Sequence, residues 1–196
     1  ILENPTDEEA EVSLMFSWQN IVGWDKDDFK WRNSQGNYNL LKEDETAIGI
    51  VMRREGDVDD ELEGEMCIAT LKQKGVEISY DTNFKINSDG RQVWDSFSQE
   101  GKLSNNQESR RVEDEEIAGA LAVKIKLKPG EIKTIPFVLS WDFPIMRFGQ
   151  GTKWYQYYTK AIEELGIDKT GKDGNNSFAL AKFSLSNYKN WQDKVD

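Results

Sequence analysis

The chain has 196 residues, a length that suits one domain with a hydrophobic core and makes two domains unexpected. Acidic residues outnumber basic ones, 36 to 25, and the formal net charge of −11 argues against a nucleic-acid partner because phosphates would be repelled. The chain has no histidine, so imidazole catalysis and zinc sites of the usual kind are excluded from it.

Cys67 is the single cysteine, so no disulfide can form within the chain, and a reducing compartment is indicated. We therefore predict a cytoplasmic location. The sequence contains no apolar run long enough to span a bilayer and no charged-then-apolar signal segment, so it predicts no transmembrane segment. Ile1 is followed almost at once by turn residues, as in a strand cut just before its turn, and we interpret the chain as an excerpt from a longer protein.

The first half of the chain predicts four strands. Residues 11–18 place large apolar side chains on one face and Ser13, Met15 and Ser17 on the other, which predicts a half-buried strand. Residues 20–42 lack a clean period and predict a long ordered loop held by its aromatic side chains. A strand follows at 46–52. Two short strands at 65–71 and 76–80 are separated by a glycine-containing turn whose spacing predicts a hairpin.

The second half changes from strands to helices. Apolar residues at i and i+4 predict a short helix at 93–97, and residues 117–127 predict a long strand. After Gly151 the apolar period becomes about 3.6 residues, which predicts helices over 154–165 and 177–195. Strands first and helices last predict a mainly β protein, namely an antiparallel two-sheet β-sandwich with a short internal helix and C-terminal helices.

We predict a β-sandwich domain at 1–150 and a helical connection at 151–196. Their junction is the stretch 134–149, which reads as a strand that carries Trp141 and Asp142 to its end. The Phe-Pro step that follows stops the pairing, because proline cannot donate to a ladder and holds the preceding residue extended.

Seven short segments, taken together in their order, resemble one known family. They are Asn4-Pro5-Thr6-Asp7, Ser13-Leu-Met-Phe-Ser-Trp18, Gln92-Val-Trp94, Ile117-Ala-Gly-Ala120, Ser140-Trp-Asp-Phe-Pro144, Phe148-Gly149 and Tyr157-Tyr158-Thr159. The resemblance is to the N-terminal region of glycoside hydrolase family 116, the β-glucosidases and non-lysosomal, bile-acid type glucosylceramidases. It covers nearly the whole chain, and residues 24–42 and 101–115 depart from it.

In that family the region resembled is a two-sheet β-sandwich that packs against a C-terminal (α/α)6 catalytic domain. That domain holds a Glu nucleophile and an Asp acid/base, a retaining pair whose carboxyls lie about 5 to 5.5 Å apart. No position here matches either catalytic motif, so the resemblance assigns no catalytic residue to this chain. As partners it implies the (α/α)6 catalytic domain of the same polypeptide and, through the whole enzyme, a β-glucoside or glucosylceramide-like substrate, without a cofactor.

Five residues near the junction are candidates for a substrate rim or a domain interface: Trp141, Asp142, Arg147, Trp154 and Tyr155. Trp141 could stack on a pyranose ring while Asp142 bonds to its hydroxyls. Alternatively, the indole is buried at a domain interface and the carboxylate caps the next backbone turn. The aromatic run that begins at Trp154 is either a carbohydrate platform or packing against the catalytic domain, and in the second case it forms an exposed apolar patch without that domain.

Three further patterns favour ordinary structural roles. Residues 166–173 nearly spell a phosphate loop, but a helix precedes them and Asp173 replaces the hydroxyl that magnesium needs. The acidic residues of 57–65, Glu65 included, are interpreted as a solvated loop rather than a cation site. Cys67 lies inside a strand pattern and is predicted to be a small buried residue. The sequence thus predicts no metal site.

The leading hypothesis is the non-catalytic N-terminal β-sandwich of a retaining β-glucosidase or glucosylceramidase, which supports the catalytic barrel and furnishes part of its active-site rim. The alternative is a stand-alone carbohydrate-binding module, which binds sugar through exposed aromatic residues. A third hypothesis, a small independent glycosidase, requires two close carboxylates in a cleft of this chain.

Overall fold

The structure is a computed structural model that describes residues 1–23, 34–86, 90–113, 115–149 and 151–194. Its strands in one sheet are β2 (Ala10–Gln19), β6 (Val76–Lys85) and β7 (Ile117–Leu127), in the order β2–β7–β6. The strands of the second sheet are β3 (Asn37–Glu43), β4 (Ala47–Arg54), β5 (Glu65–Leu71) and β9 (Phe137–Asp142), in the order β3–β4–β5–β9. All neighbouring strands are antiparallel, and the two sheets form the predicted β-sandwich.

The described residues also contain two short strand pairs and three helices. The pairs are β1 (Leu2–Glu3) with β8 (Ile132–Lys133), and β10 (Ile145–Arg147) with β11 (Lys153–Tyr155). The helices are α1 (Arg91–Glu100), α2 (Tyr158–Glu164) and α3 (Ser177–Gln192). None of these helices combines the length and the apolar composition that a membrane span requires.

The main core lies between the two sheets. Alternate residues of a strand point to opposite faces of its sheet, and the inward side chains of β4, β5 and β7 are buried. This cluster includes Ile50, Met52, Met66, Ile68 and Leu121. Gly119 of β7 faces Ile50, and a Cβ at that position would lie 2.7 Å from Ile50 Cγ2, so the absence of a side chain leaves room for Ile50 between the sheets.

Each sheet carries a helix on its outer face. α1 packs on the three-stranded sheet through Val93, which meets the small residues Ala120 and Ala122 of β7. α3 packs on the four-stranded sheet through Ala181 and Leu185, against small side chains of β4 and β5. The described residues therefore form four layers, in the order helix, sheet, sheet, helix.

Most of the predicted elements are confirmed. The strands predicted at 11–18, 46–52 and 117–127 correspond to β2, β4 and β7, and the short helix predicted at 93–97 lies within α1. The last predicted helix is confirmed as α3 through Gln192, and Val195 lies outside the described residues. The division of the chain at residue 150 stays a prediction.

The hairpin predicted from 65–71 and 76–80 is wrong. β5 pairs with β4 and β9, whereas β6 pairs with β7 in the other sheet. The cause is the burial of both faces of β5, since Met66 faces the core and Cys67 faces α3. A strand of this kind takes a central place with partners on both sides.

The prediction that Cys67 is a small buried residue is confirmed.

The long loop predicted at 20–42 is wrong in its last part, where the chain forms the edge strand β3. Residues 24–33 lie outside the described residues. Asn39 is fully buried in β3, accepts a hydrogen bond from Asn20 Nδ2 (2.9 Å) and donates one to the Thr82 carbonyl oxygen (2.8 Å). Satisfied buried amides of this kind break the apolar alternation that identifies a strand in a sequence.

Candidate functional site

The candidate site lies where β9 ends at Asp142. After the Phe-Pro step, Ile145–Arg147 pairs with Lys153–Tyr155, and we call residues 145–155 the aromatic hairpin. Gln150 in its turn lies outside the described residues. The helix predicted over 154–165 is therefore wrong at its start, because residues 154 and 155 belong to a strand and α2 begins at Tyr158. Aromatic side chains favour strands where a partner is available, and β10 provides that partner.

Five aromatic side chains are exposed along this segment, and we call them the aromatic surface. They are Trp141 (56% exposed), Phe148 (70%), Trp154 (57%), Tyr155 (38%) and Tyr157 (82%). By the alternation of β9, Trp141 shares a sheet face with Phe137 and Leu139, which pack on the main core, but it stands at the strand end, where the core no longer covers it.

The aromatic hairpin is anchored to the acidic loop between β4 and β5. The backbone N–H of Arg147 donates to Glu61 Oε2 (3.2 Å), and the Arg147 guanidinium donates to the carbonyl oxygen of Asp59 (2.9 Å). Lys153 Nζ pairs with the Asp59 carboxylate at 3.0 Å, and this hydrogen bond holds the pKa of Asp59 below its ordinary value. The predicted site residue Arg147 thus has polar contacts with this loop.

Lysine side chains cover part of the tyrosine rings in the aromatic surface. Lys172 Nζ lies 4.7 Å from the centre of the Tyr155 ring, and Lys160 Nζ lies 5.5 Å from the centre of the Tyr157 ring. Such cation–π contacts occupy one face of a ring. Trp141 and Trp154 have no stacked ring or cation within the described ranges, and more than half of each residue is exposed.

Two buried carboxylates meet at the base of the aromatic hairpin. Glu65 and Asp142 are direct partners in the β5–β9 ladder, and both are 0% exposed. Asp142 accepts hydrogen bonds from the backbone N–H and Nδ2 of Asn176 (both 3.0 Å) and from the Tyr158 hydroxyl (2.8 Å). Glu65 Oε1 accepts from the backbone N–H (2.8 Å) and Oγ (2.9 Å) of Ser177.

The two carboxylates cap the start of α3 from neighbouring strands. No side chain of the residue preceding the helix provides a cap of its own. Asp142 thus takes the capping position in this structure, with its carboxylate covered from solvent. The interpretation of Glu65 as part of a solvated acidic loop is wrong, because it begins the buried strand β5.

Burial shifts the pKa of two groups in this cluster, Glu65 and Tyr158. It raises the pKa of Glu65 above the ordinary value of 4.5, although the charges of Lys42 and Arg53 and the Ser177 donors act in the opposite direction. Arg53 Nε lies 3.5 Å from Glu65 Oε2. Burial, reinforced by the nearby Asp142 charge, also raises the pKa of Tyr158, so its hydroxyl stays protonated and able to donate.

Glu65→Gln is expected to change how stability depends on pH. Because the pKa of Glu65 is higher in the folded chain than in the unfolded chain, its favourable contribution is lost as the pH rises from about 4.5 through the folded-state pKa. Glutamine cannot ionise, so the variant should gain stability relative to the wild type across that interval. Urea unfolding at a series of pH values measures the difference, and a difference that stays constant contradicts the assignment.

Sequence reasoning does not assign Tyr158, Asn176 or Ser177 the role of donors to the two carboxylates. For Glu65 a signal exists, since a carboxylate at the head of a strand that is apolar on both faces needs buried donors. The donor itself could not be found from a local pattern, because Ser177 lies 112 positions further along the chain. Within the described residues, no group of three or more Asp, Glu or Cys side chains is placed to hold a metal ion.

The fold and the site define a β-sandwich domain whose exposed aromatic end is built on a pair of buried carboxylates. Residues 1–191 match the family described as beta-glucosidase 2, glycosyl-hydrolase family 116 N-term. The chain therefore belongs to the N-terminal domain family of glycoside hydrolase family 116, and the resemblance found in its sequence is confirmed.

Proposed function

We propose that this chain is a non-catalytic domain that supports the (α/α)6 catalytic domain of the same polypeptide and contributes to the rim of its active site. The parent enzyme hydrolyses a β-glucoside, or a glucosylceramide-like substrate, with retention of configuration. The observation that carries the proposal is the aromatic surface, five exposed aromatic side chains along one segment at one end of the sandwich. The buried free thiol of Cys67 supports a cytoplasmic location for the enzyme.

The physical chemistry of interfaces favours docking through this surface. Tyrosine, tryptophan and phenylalanine are enriched at protein interfaces, where a few of them supply most of the binding energy. Contacts with Asp59 and Glu61 hold the two strands of the aromatic hairpin, β10 and β11, in place without a partner. A surface that is already ordered loses less conformational entropy on association, which strengthens binding.

The positions of the carboxylates support a non-catalytic role. Glu65 and Asp142 are adjacent, as a retaining pair must be, but both are covered and both accept hydrogen bonds from residues at the start of α3. Both oxygens of Asp142 and Oε1 of Glu65 accept hydrogen bonds from protein donors, and Glu65 Oε2 lies 3.5 Å from Arg53 Nε. Both carboxylates are fully buried and are therefore closed to a sugar. This argues against the hypothesis of a small independent glycosidase built on these two residues.

Trp154→Ser in the complete enzyme is expected to shorten the half-life of β-glucosidase activity at a fixed elevated temperature. Truncating a central aromatic residue of an interface costs about 2 kcal/mol or more of binding energy, so the two domains should separate more readily. The matched control is Trp94→Ser, because Trp94 is 56% exposed on α1, which covers the other sheet, against 57% for Trp154. Equal half-lives for the two variants would contradict docking through the aromatic surface.

The exposed side chains of Trp141 and Trp154 favour a second candidate function, a carbohydrate-binding module. Indole faces stack on the apolar faces of pyranose rings, as aromatic rings pack on other apolar surfaces. Calorimetric titration of the 196-residue chain with cellobiose separates the two functions. A saturable heat of binding that Trp154→Ala abolishes would favour a carbohydrate-binding module. No heat of binding at millimolar sugar would favour a domain that only supports the catalytic domain.

A further inference from the structure

A hydrogen bond closes the base of the aromatic hairpin. Asp142 ends β9 just before the hairpin, Tyr158 begins α2 just after it, and the Tyr158 hydroxyl donates to Asp142 Oδ1 across 16 positions of sequence. Within this closed segment, the Gln156 backbone N–H donates to the Pro144 carbonyl oxygen (2.8 Å). Four of the five residues of the aromatic surface lie between Asp142 and Tyr158, and the fifth, Trp141, is next to Asp142.

The neighbouring strand holds the same base from a second direction. Glu65 of β5 binds the first residue of α3, Ser177, while Asp142 of β9 binds the residue before it, Asn176. Ser140 Oγ adds a bond to the Ser177 carbonyl oxygen (2.7 Å). Donors from α2 and α3 thus meet acceptors from β5 and β9 at the two carboxylates, and all four elements are joined there.

Because the two carboxylates are buried, separating these four elements costs free energy. A buried carboxylate that loses its partners bears the full cost of its removal from water, so α2 or α3 cannot move away from the strand ends without a large penalty. Networks of this kind hold a site in one arrangement rather than allowing gradual deformation. The aromatic surface is attached directly to this joint at both ends.

We propose that Asp142 and Glu65 are positioning residues that fix the orientation of the aromatic surface on the sandwich. Neither carboxylate reaches the surface, and each acts through the elements that it joins. The consequence for docking rests on the proposed function, whereas the positioning itself does not.

The test is 19F NMR of the 196-residue chain labelled with fluorotryptophan, with resonances assigned by replacing each tryptophan in turn. Asp142→Asn and Tyr158→Phe should each shift or broaden the resonances of Trp141 and Trp154. The resonance of Trp94 on α1 should stay in place, which distinguishes displacement of the hairpin from general unfolding. Glu43→Gln is the matched control, because Glu43 is an exposed carboxylate whose partner is Lys72.

At Glu65, a conservative substitution distinguishes loss of the hydrogen bonds to Ser177 from loss of side-chain volume. Glu65→Ala should shift the same two resonances, and Glu65→Gln, which retains an oxygen to accept from Ser177, should restore them. Unchanged resonances of Trp141 and Trp154 in folded Asp142→Asn and Tyr158→Phe would overturn the proposal. If Asp142→Asn does not fold, Tyr158→Phe, which removes only one hydroxyl, decides the result.

The outcomes distinguish this inference from the proposed function. Suppose that the resonances move as expected but the complete enzyme has the same half-life of activity with Trp154→Ser as with Trp94→Ser. The positioning role is then supported, and docking through this surface is rejected. If Trp154→Ser weakens the enzyme but the resonances do not move, docking stands and the positioning role falls.

Discussion

Asp142→Ala is expected to lower the free energy of unfolding by about 3 kcal/mol or more, because each buried donor that loses its acceptor costs about 1–3 kcal/mol. Three donors lose their acceptor: the backbone N–H and Nδ2 of the buried Asn176, and the hydroxyl of the partly buried Tyr158. Chemical denaturation followed by circular dichroism measures it.

Asp59→Ala is the control for this prediction. Asp59 also forms an ion pair, with Lys153, but its side chain is 79% exposed, so its loss should change stability little because water replaces the partner. A loss for Asp142→Ala no larger than that for Asp59→Ala would contradict the role assigned to the buried carboxylate.

Gly119→Ala is expected to destabilise the sandwich by about 1–3 kcal/mol, the usual cost of adding a methyl group to a packed core. The new Cβ would lie 2.7 Å from Ile50 Cγ2 and 3.1 Å from Ile50 Cδ1, at the point where the two sheets meet. Neither sheet can retreat without opening the cluster around Ile68 and Leu121. Thermal unfolding of the wild type and the variant measures the effect.

A double-mutant cycle with Ile50→Ala tests the cause. Ile50→Ala alone should cost about 2–5 kcal/mol, because it leaves a cavity in the core. The double variant should lose clearly less than the sum of the two, since the side chain that meets the new methyl group is gone. Additive losses would show that the destabilisation by Gly119→Ala has another origin.

The sequence predicts those strands whose burial follows a simple rule. β2 and β7 are long; β2 alternates along its length and β7 alternates near its end, so both are recognisable as strands without a structure. β3 is not predicted because Asn37 and Asn39 take buried positions that usually hold apolar residues, and their Nδ2 groups donate to carbonyl oxygens of residues that are distant in the sequence. The pairing of β5 is not predicted because a short turn to β6 resembles a hairpin, although the two strands enter different sheets.

The candidate site is predictable in its location but not in its construction. The Trp-Asp step at a strand end and the aromatic run after it mark the segment in which the structure exposes its aromatic surface. The strand character of Trp154, however, depends on pairing with Met146, which no local pattern indicates. The burial of Glu65 depends on α3, whose first residue lies more than half the chain away.

The central claim is that this chain supports catalysis without performing it, and hydrolysis of an aryl β-glucoside tests it most directly. The assay compares the 196-residue chain with a polypeptide that continues through the (α/α)6 catalytic domain of the family. The account predicts hydrolysis only by the longer polypeptide. Hydrolysis by the 196-residue chain alone would contradict it, and would place the catalytic pair among the Asp and Glu residues assigned here to structure and surface.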